Sequence, residues 1–326
     1  MTDPGDWSFP EKFRAHESQV QFDLSRAIRS VVQVRSVIPD EAFTAEVLGT
    51  ERTGNGVVIQ VGEQTLVLTI AYLITEAESI WLTTHDGQQI AGHTLAFDQV
   101  TGFGLIAPLG QLHAPALELG AAQPLHADDN LIVIGHGGPA HALNCKLIAK
   151  REFAGYWEYL LEEALIVAPP HPQWGGAALL DQQGLLVGIG SLLLQEEVSD
   201  DSFDANLFVP IDLLKPILAD LLSTGRPRRA ARPWLGIYLA NTDREVVIAG
   251  VAPGGPAHEA HLKRGDVITQ IAGHVVQELP DFYRRLWAHG AAGVTVELGI
   301  RRGNRSRTVQ LASGNRDDFL YRPRAH

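Results

Sequence analysis

Catalysis by side chains needs a nucleophile, a base to take its proton and a group that orients the base, and few residues of this chain are spaced to make such a set. The single cysteine, Cys145, lies in Leu143-Asn144-Cys145-Lys146-Leu147-Ile148, a predicted strand in which a lone cysteine is a small buried apolar residue rather than a reactive thiol. Thirteen histidines invite a metal site. His258-Glu259-Ala260-His261 sets two imidazoles at i, i+3 on a short helix, and His136 and His141 lie near Cys145 in sequence. Neither group has the H-E-x-x-H spacing that puts two ligands and a carboxylate on one helix face. The expectation is no metal and no cofactor.

The elements that would position a site are mostly strands. From Ile28-Arg29-Ser30-Val31-Val32-Gln33-Val34 to about Pro210, short apolar runs alternate with turn residues, among them Gly56-Val57-Val58-Ile59, Thr65-Leu66-Val67-Leu68-Thr69 and Leu131-Ile132-Val133-Ile134-Gly135. Many short strands at this spacing predict an all-β barrel domain. Helical spacing follows at Leu213, Leu214, Ile217 and Leu221, with Asp212 placed to cap it. Glu196 to Asp204 packs five carboxylates and reads as a solvated loop. Gly225 to Pro233, rich in Arg and Pro without apolar periodicity, reads as a linker.

Three stretches resemble the catalytic stations of HtrA-type trypsin-like serine proteases. Thr69-Ile70-Ala71-Tyr72-Leu73-Ile74 matches T-N-A-H-V-V; Asp98-Gln99-Val100-Thr101-Gly102-Phe103-Gly104-Leu105-Ile106 matches D-x-x-T-D-L-A-L-L; His171-Pro172-Gln173-Trp174-Gly175-Gly176-Ala177-Ala178-Leu179-Leu180-Asp181 matches N-P-G-N-S-G-G-P-L-L-D. The resemblance puts Tyr72 in the place of the histidine base, Gly102 in that of the orienting aspartate and Gly175 in that of the serine. None of the three supplies the side chain its role requires. Gln173 replaces the glycine whose turn builds the oxyanion hole. The implied fold is mostly β, a trypsin-like double six-stranded β-barrel followed by a C-terminal PDZ domain, and the implied protein is a natural pseudoprotease, not an enzyme. Tyr72 and Trp174 are expected to fill the volume that a catalytic network would occupy.

The C-terminal third carries the PDZ motifs of that family. Trp234-Leu235-Gly236-Ile237 matches the [YW]-[IL]-G-[VI] carboxylate-binding loop, and Val251-Ala252-Pro253-Gly254-Gly255-Pro256-Ala257 with Leu262-Lys263-Arg264-Gly265-Asp266-Val267-Ile268 matches V-x-P-G-S-P-A and L-K-x-G-D-V-I. A PDZ domain adds an extended peptide to a sheet edge and holds its terminal carboxylate on backbone N–H groups. By resemblance the receiving backbone is Leu235, Gly236 and Ile237, continued by Tyr238 and Leu239. A helix from about Pro280 to Ala288 would face it with Phe282, Arg285 and Leu286; Phe282 and Leu286 at i, i+4 also suit plain helix core. The expected segments are an N-terminal extension 1–20, a degenerate protease domain 21–224, a linker 225–233, a PDZ domain 234–312 and a tail 313–326.

Charge divides along the same line. Residues 1–225 carry a net −19 and residues 226–326 a net +7 within the overall −12. A basic module on an acidic body suits acidic partners or contact between the two. No stripe of Lys and Arg is interleaved with aromatics as single-strand nucleic-acid binders require, and no apolar run approaches the roughly 20 residues of a membrane span. One cysteine and an N-terminus without a basic and apolar leader point to the bacterial cytoplasm. Relatives assemble as homotrimers through N-terminal aromatics, a part open to Trp7, Phe9 and Phe13, which could equally staple onto the chain's own barrel. The expected function is a peptide-binding adaptor, chaperone-like or assembly factor. The alternatives are a structural subunit docking through the barrel body and, third, a residual or unconventional endopeptidase.

Overall fold

Runs of β-branched and leucine residues build the first barrel, buried without a break at 55–59, 66–70 and 103–106. Its strands are β1 (Val31–Val37), β2 (Glu51–Val61), β3 (Gln64–Ile70), β4 (Ser79–Thr83), β5 (Gln89–Phe97) and β6 (Phe103–Pro108), closing in the order β1-β2-β3-β6-β5-β4. A second barrel closes from β7 (Asn130–Ile134), β8 (Ala142–Gly155), β9 (Tyr159–Ala168), β10 (Ala178–Leu180), β11 (Leu186–Val198) and β12 (Asp201–Pro210), in the order β10-β11-β12-β9-β8-β7. Closure leaves neither sheet a free edge. The computed structural model describes residues 9–198, 201–242 and 245–321. They form two units, Met1–Arg151 with Glu163–Pro227 and Tyr321–His326, and Glu152–Glu162 with Arg228–Leu320.

In the first unit Thr44 links two buried charged side chains, Glu76 and Arg52. Glu76, at φ 65°, accepts hydrogen bonds from the N–H groups of Phe43 (2.9 Å), Thr44 (2.7 Å) and Tyr321 (2.5 Å) and from the Thr44 hydroxyl. Buried Arg52 donates to the carbonyls of Gly49 (3.1 Å), Tyr72 (2.7 Å) and Thr75 (3.1 Å) and to Thr44 Oγ1 (2.7 Å). Thr44 thus passes one hydrogen bond on to Glu76 while taking another from Arg52.

Several expectations are corrected in this unit. Asp212 does not cap the helix Leu218–Thr224: Ile211–Leu213 forms a separate 3-10 turn, and Asp212 Oδ2 accepts from the N–H groups of Ala122 (2.6 Å) and Gln123 (3.1 Å) instead. In the carboxylate-rich stretch the β11–β12 ladder runs out to Val198 opposite Asp201, so 196–198 and 201–204 are paired strand rather than loop, and Ser199 and Asp200 lie outside the described residues. Phe9 is buried in the second barrel's core with Leu131, Leu143 and Phe208, and its ring meets His171 edge-on at 5.0 Å. Phe9 therefore staples onto its own barrel. Phe13 is exposed beneath the Lys12 ammonium, and Trp7 lies outside the described residues.

The second unit holds a sheet of β13 (Ile237–Thr242), β14 (Glu245–Val251), β15 (Val267–Ile271), β17 (Thr295–Arg302) and β18 (Arg305–Ala312), with β16 (His274–Val275) paired to β15. The helix Leu279–Ala288 buries Leu279, Phe282, Tyr283 and Leu286 against it. The unit extends beyond the expected limits at both ends. Trp234 pairs with Gly314 through two backbone hydrogen bonds (3.0 and 2.8 Å), Phe319 covers the Trp234 ring at 4.7 Å, and the Arg232 guanidinium lies 4.1 Å from the Trp287 ring centre. Large aromatics at the sheet's rim draw the flanking chain over themselves. No helix among the described residues is long and apolar enough to cross a membrane.

Removing the Glu76 side chain strands the N–H donors of Phe43, Thr44 and Tyr321 from which it accepts, and each buried donor left unpaired costs about 1–3 kcal/mol. Glu76→Ala should lower the unfolding free energy by about 3 kcal/mol in urea titration; a change below about 1 kcal/mol would show that these donors carry no such burden.

Candidate functional site

Tyr72, Gln173 and Gly175 meet on one cavity of about 340 Å3, lined also by Gln33, Thr53, Gly54, Asn55, His136, Pro172 and Trp174. The 3-10 turn Ala71–Leu73 at the end of β3 presents Tyr72, and Arg52 holds its carbonyl. The Tyr72 hydroxyl donates to the Ser191 carbonyl at 3.0 Å, and a Cβ built on Gly175 would lie 2.7 Å from that hydroxyl oxygen. Burial pushes the phenol up, against a hydrogen bond with Trp174, so it is neutral at physiological pH. Gly102 is not among the lining residues. It closes a turn in which Asp98 accepts from the N–H groups of Val100 and Thr101, and its φ of 85° is one that side-chain-bearing residues rarely adopt. Tyr72 and Trp174 are half-buried among the cavity's walls, and the Tyr72 hydroxyl stands in the space that a side chain at position 175 would need.

The loop carrying Gln173 and Gly175 is clamped from several sides. Asn55 Nδ2 donates to the carbonyls of Gln173 (2.7 Å) and Gly175 (3.0 Å), the Asn55 N–H donates to Gly175 O (2.8 Å), and Asn55 Oδ1 accepts from the His136 N–H (2.7 Å). The Gln173 N–H donates to His171 Nδ1 at 3.0 Å. That bond puts the imidazole proton on Nε2, which faces the His141 carbonyl at 3.2 Å. Burial holds His171 down at about 4, so the ring stays neutral and available as acceptor. A Cβ on Gly176 would sit 1.9 Å from the Asn55 carbonyl oxygen, and one on Gly190 would sit 1.9 Å from that of Trp174. Both glycines are places where two backbones touch.

In the second unit the predicted carboxylate loop holds a carboxylate, and it comes from this chain. Residues 152–162 are the distal end of the β8–β9 hairpin, and within them Glu158 is buried. Glu158 accepts from the N–H groups of Leu235 (3.0 and 3.2 Å), Gly236 (2.8 Å) and Ile237 (3.1 Å). One step along β13, the Leu239 N–H donates to the Tyr156 carbonyl at 2.8 Å, as a sheet edge does to an added strand. The Tyr238 and Tyr156 rings lie 6.1 Å apart. Tyr283 seals the turn: its hydroxyl donates to Gly155 O (2.7 Å) and accepts the Glu158 N–H (3.2 Å). Arg284 pairs with Glu152 and Glu162 on the outside.

Of the residues assigned to this groove, Leu235, Gly236, Ile237, Tyr238 and Leu239 stand at the contact. Phe282 and Leu286 are fully buried in the unit's core, beside Leu160 of the hairpin. Arg285 pairs with Asp281 at i, i+4 and contributes no bond to the loop. Glu158, Tyr283 and Asn55 were not anticipated. Glu158 had one visible signal, a lone carboxylate among aromatics in Gly155-Tyr156-Trp157-Glu158-Tyr159 between two strand patterns. Among the described residues no group of three His, Cys, Asp or Glu could hold a metal ion.

Residues 54–189 match the trypsin-like peptidase domain and residues 233–312 the PDZ domain. The chain thus carries a trypsin-like domain followed by one PDZ domain, the order of domains in the solved HtrA-type structures it superposes on. The serine protease Do-like HtrA of Bacillus subtilis is 21% identical over 91% of this chain and 72% of its own length. A probable periplasmic DegP-like serine endoprotease of Halomonas elongata is 24% identical over 81% of this chain and 57% of its own. Among solved structures, the HtrA-type protease AlgW with a decapeptide superposes with a TM-score of 0.53 at 19% identity, covering 92% of this chain and 98% of that one. A serine endoprotease from Yersinia pestis gives 0.51 at 20% identity, with 89% and 95% covered.

Burial lifts the Glu158 carboxyl to about 7, against its N–H donors and Arg316, which pull it down. The facing Tyr283 hydroxyl is itself pushed up by burial and by Glu158. The seated carboxyl therefore takes a proton more readily than a free one, whose ordinary value is 4.5. Seating is most stable below that value and weakens as pH rises through about 7. Amide exchange at residues 235–237, corrected for intrinsic rates, should be less protected at pH 8 than at pH 5. A flat or opposite profile would contradict this.

Proposed function

We propose that this chain is a non-catalytic HtrA-like pseudoprotease that works as a peptide-binding adaptor or assembly factor through its PDZ groove. The observation that carries the proposal is the convergence of the Leu235, Gly236 and Ile237 N–H groups on a carboxylate, with the Leu239 N–H on a peptide carbonyl. This is the chemistry of recognising a peptide's free C-terminus, and the basic half of the chain suits acidic partners.

The relatives are named serine proteases, so the loss of chemistry is the part that this proposal adds. Three features support it. Gly175 offers no nucleophile, and the Tyr72 hydroxyl crowds the space a side chain there would need. Tyr72 is a neutral phenol bonded to a carbonyl rather than a base. The Gln173 N–H, in the place of an oxyanion donor, is already spent on His171. Cys145 is no substitute nucleophile, since it is buried in β8 and burial pushes its thiol up.

Random-sequence decapeptides anchored by their N-termini should bind the full chain when they end in a free carboxylate and at least about tenfold more weakly when amidated, given the worth of a charge-assisted cluster. Equal binding of both forms would sink the adaptor reading. A fluorophosphonate probe should label neither the wild type nor the combined Tyr72→His, Gly102→Asp and Gly175→Ser variant, because Gly102 lies at φ 85° and the Gln173 N–H stays on His171. Stoichiometric labelling of the wild type would overturn the non-catalytic reading.

A further inference from the structure

We propose that the hairpin tip Gly155 to Glu158 is a built-in ligand that keeps the PDZ groove closed, and that a partner engages the groove only by bringing a carboxylate of its own and displacing Glu158. This rests on the peptide-binding reading above and adds its regulation. The tip copies a bound peptide end at two points in register. Glu158 supplies the carboxylate to Leu235, Gly236 and Ile237, and Tyr156, two residues earlier, supplies the carbonyl to Leu239.

The tip is held firmly enough to compete and weakly enough to leave. Its tether gives it an effective concentration that a free peptide end must exceed, on the order of millimolar for a short connection. Tyr283 locks it from the helix side through two hydrogen bonds. Against this, Glu158 sits at φ 58°, a left-handed conformation that costs a residue with a side chain on the order of 1 kcal/mol. The Arg284 pairs with Glu152 and Glu162 are largely exposed, and pairs of that kind contribute little. Tyr156 is itself 49% exposed, whereas Leu160 is buried in the core. Displacement thus needs only the turn to lift while the base of the hairpin stays seated. A groove occupied by its own tip in about nine molecules of ten weakens apparent peptide affinity by about tenfold, and more complete occupancy weakens it further.

The test compares the full-length wild type, Glu158→Ala and Tyr283→Phe, using fluorescein-labelled random-sequence decapeptides with free or amidated C-termini, and follows amide exchange at residues 235–237 alongside. Glu158→Ala should bind free-carboxylate peptides about tenfold or more tightly than the wild type, Tyr283→Phe by a smaller factor, and both should lose protection at the loop. If Glu158→Ala binds no better than a wild type that still discriminates free from amidated ends, the gate is refuted and the adaptor reading survives. If neither protein discriminates although the loop amides of Glu158→Ala exchange freely, the reading falls and takes the gate with it. Loop amides that stay protected in Glu158→Ala show that Glu158 is not what closes the groove.

Discussion

Backbone N–H groups that converge in a dry place must find an acceptor, because an unpaired buried donor costs about 1–3 kcal/mol. That constraint organises the second unit around Glu158. Once three donors of the β13 loop point inward, something with spare lone pairs has to stand among them, and a carboxylate is the group that accepts from all of them at once. Seating it fixes the turn at Gly155 to Glu158, brings the Tyr156 carbonyl level with Leu239 and gives the Tyr283 hydroxyl both of its partners. Glu76 follows the same logic in the first unit, at a similar left-handed backbone angle, with three N–H donors and buried Arg52 nearby. Each glutamate collects hydrogen bonds enough to offset its strained backbone.

Local pattern showed most of the architecture. Alternating apolar runs marked the strands of both barrels, and the turn motifs around Gly236, Gly254 and Gly265 marked the PDZ module, because each is written in neighbouring residues. Asp212 misled, since capping and a distant pair of N–H groups place the same demand on an aspartate and only the fold tells Ala122 from a helix end. Trp234, Gly314 and Phe319 are far apart in the chain, so the folding-back of the last segment had no local signature.

The site was legible in part for the same reason. Tyr72, Gly102, Gln173 and Gly175 were visible as residues out of keeping with a motif, and Leu235 to Ile237 as a motif kept. Glu158 was not, because the pairing joins residues 77 to 79 positions apart and a carboxylate in a turn looks like any solvated turn. Asn55 was hidden by its neighbours: within Gly54-Asn55-Gly56 it passes for a strand polar residue, and only its reach to Gln173, 118 positions on, gives it a role. The aromatic surroundings of Glu158 in sequence were the one cue available, since a charge set among large apolar rings is expensive unless something pairs with it.

Gly176 and Gly190 have a consequence for how this sequence can change over time. Each marks a spot where two main chains meet so closely that even a methyl group would collide with a carbonyl oxygen. Such a position owes nothing to the reaction a loop once served or never served; it answers only to the crossing of two backbones. Mutational drift is free to exchange hydroxyls, imidazoles and carboxylates around the cavity while these two sites admit no alternative. The outline of the cavity therefore tolerates less change than its contents, since a side chain at either glycine must move a backbone before the chain can close as it does here.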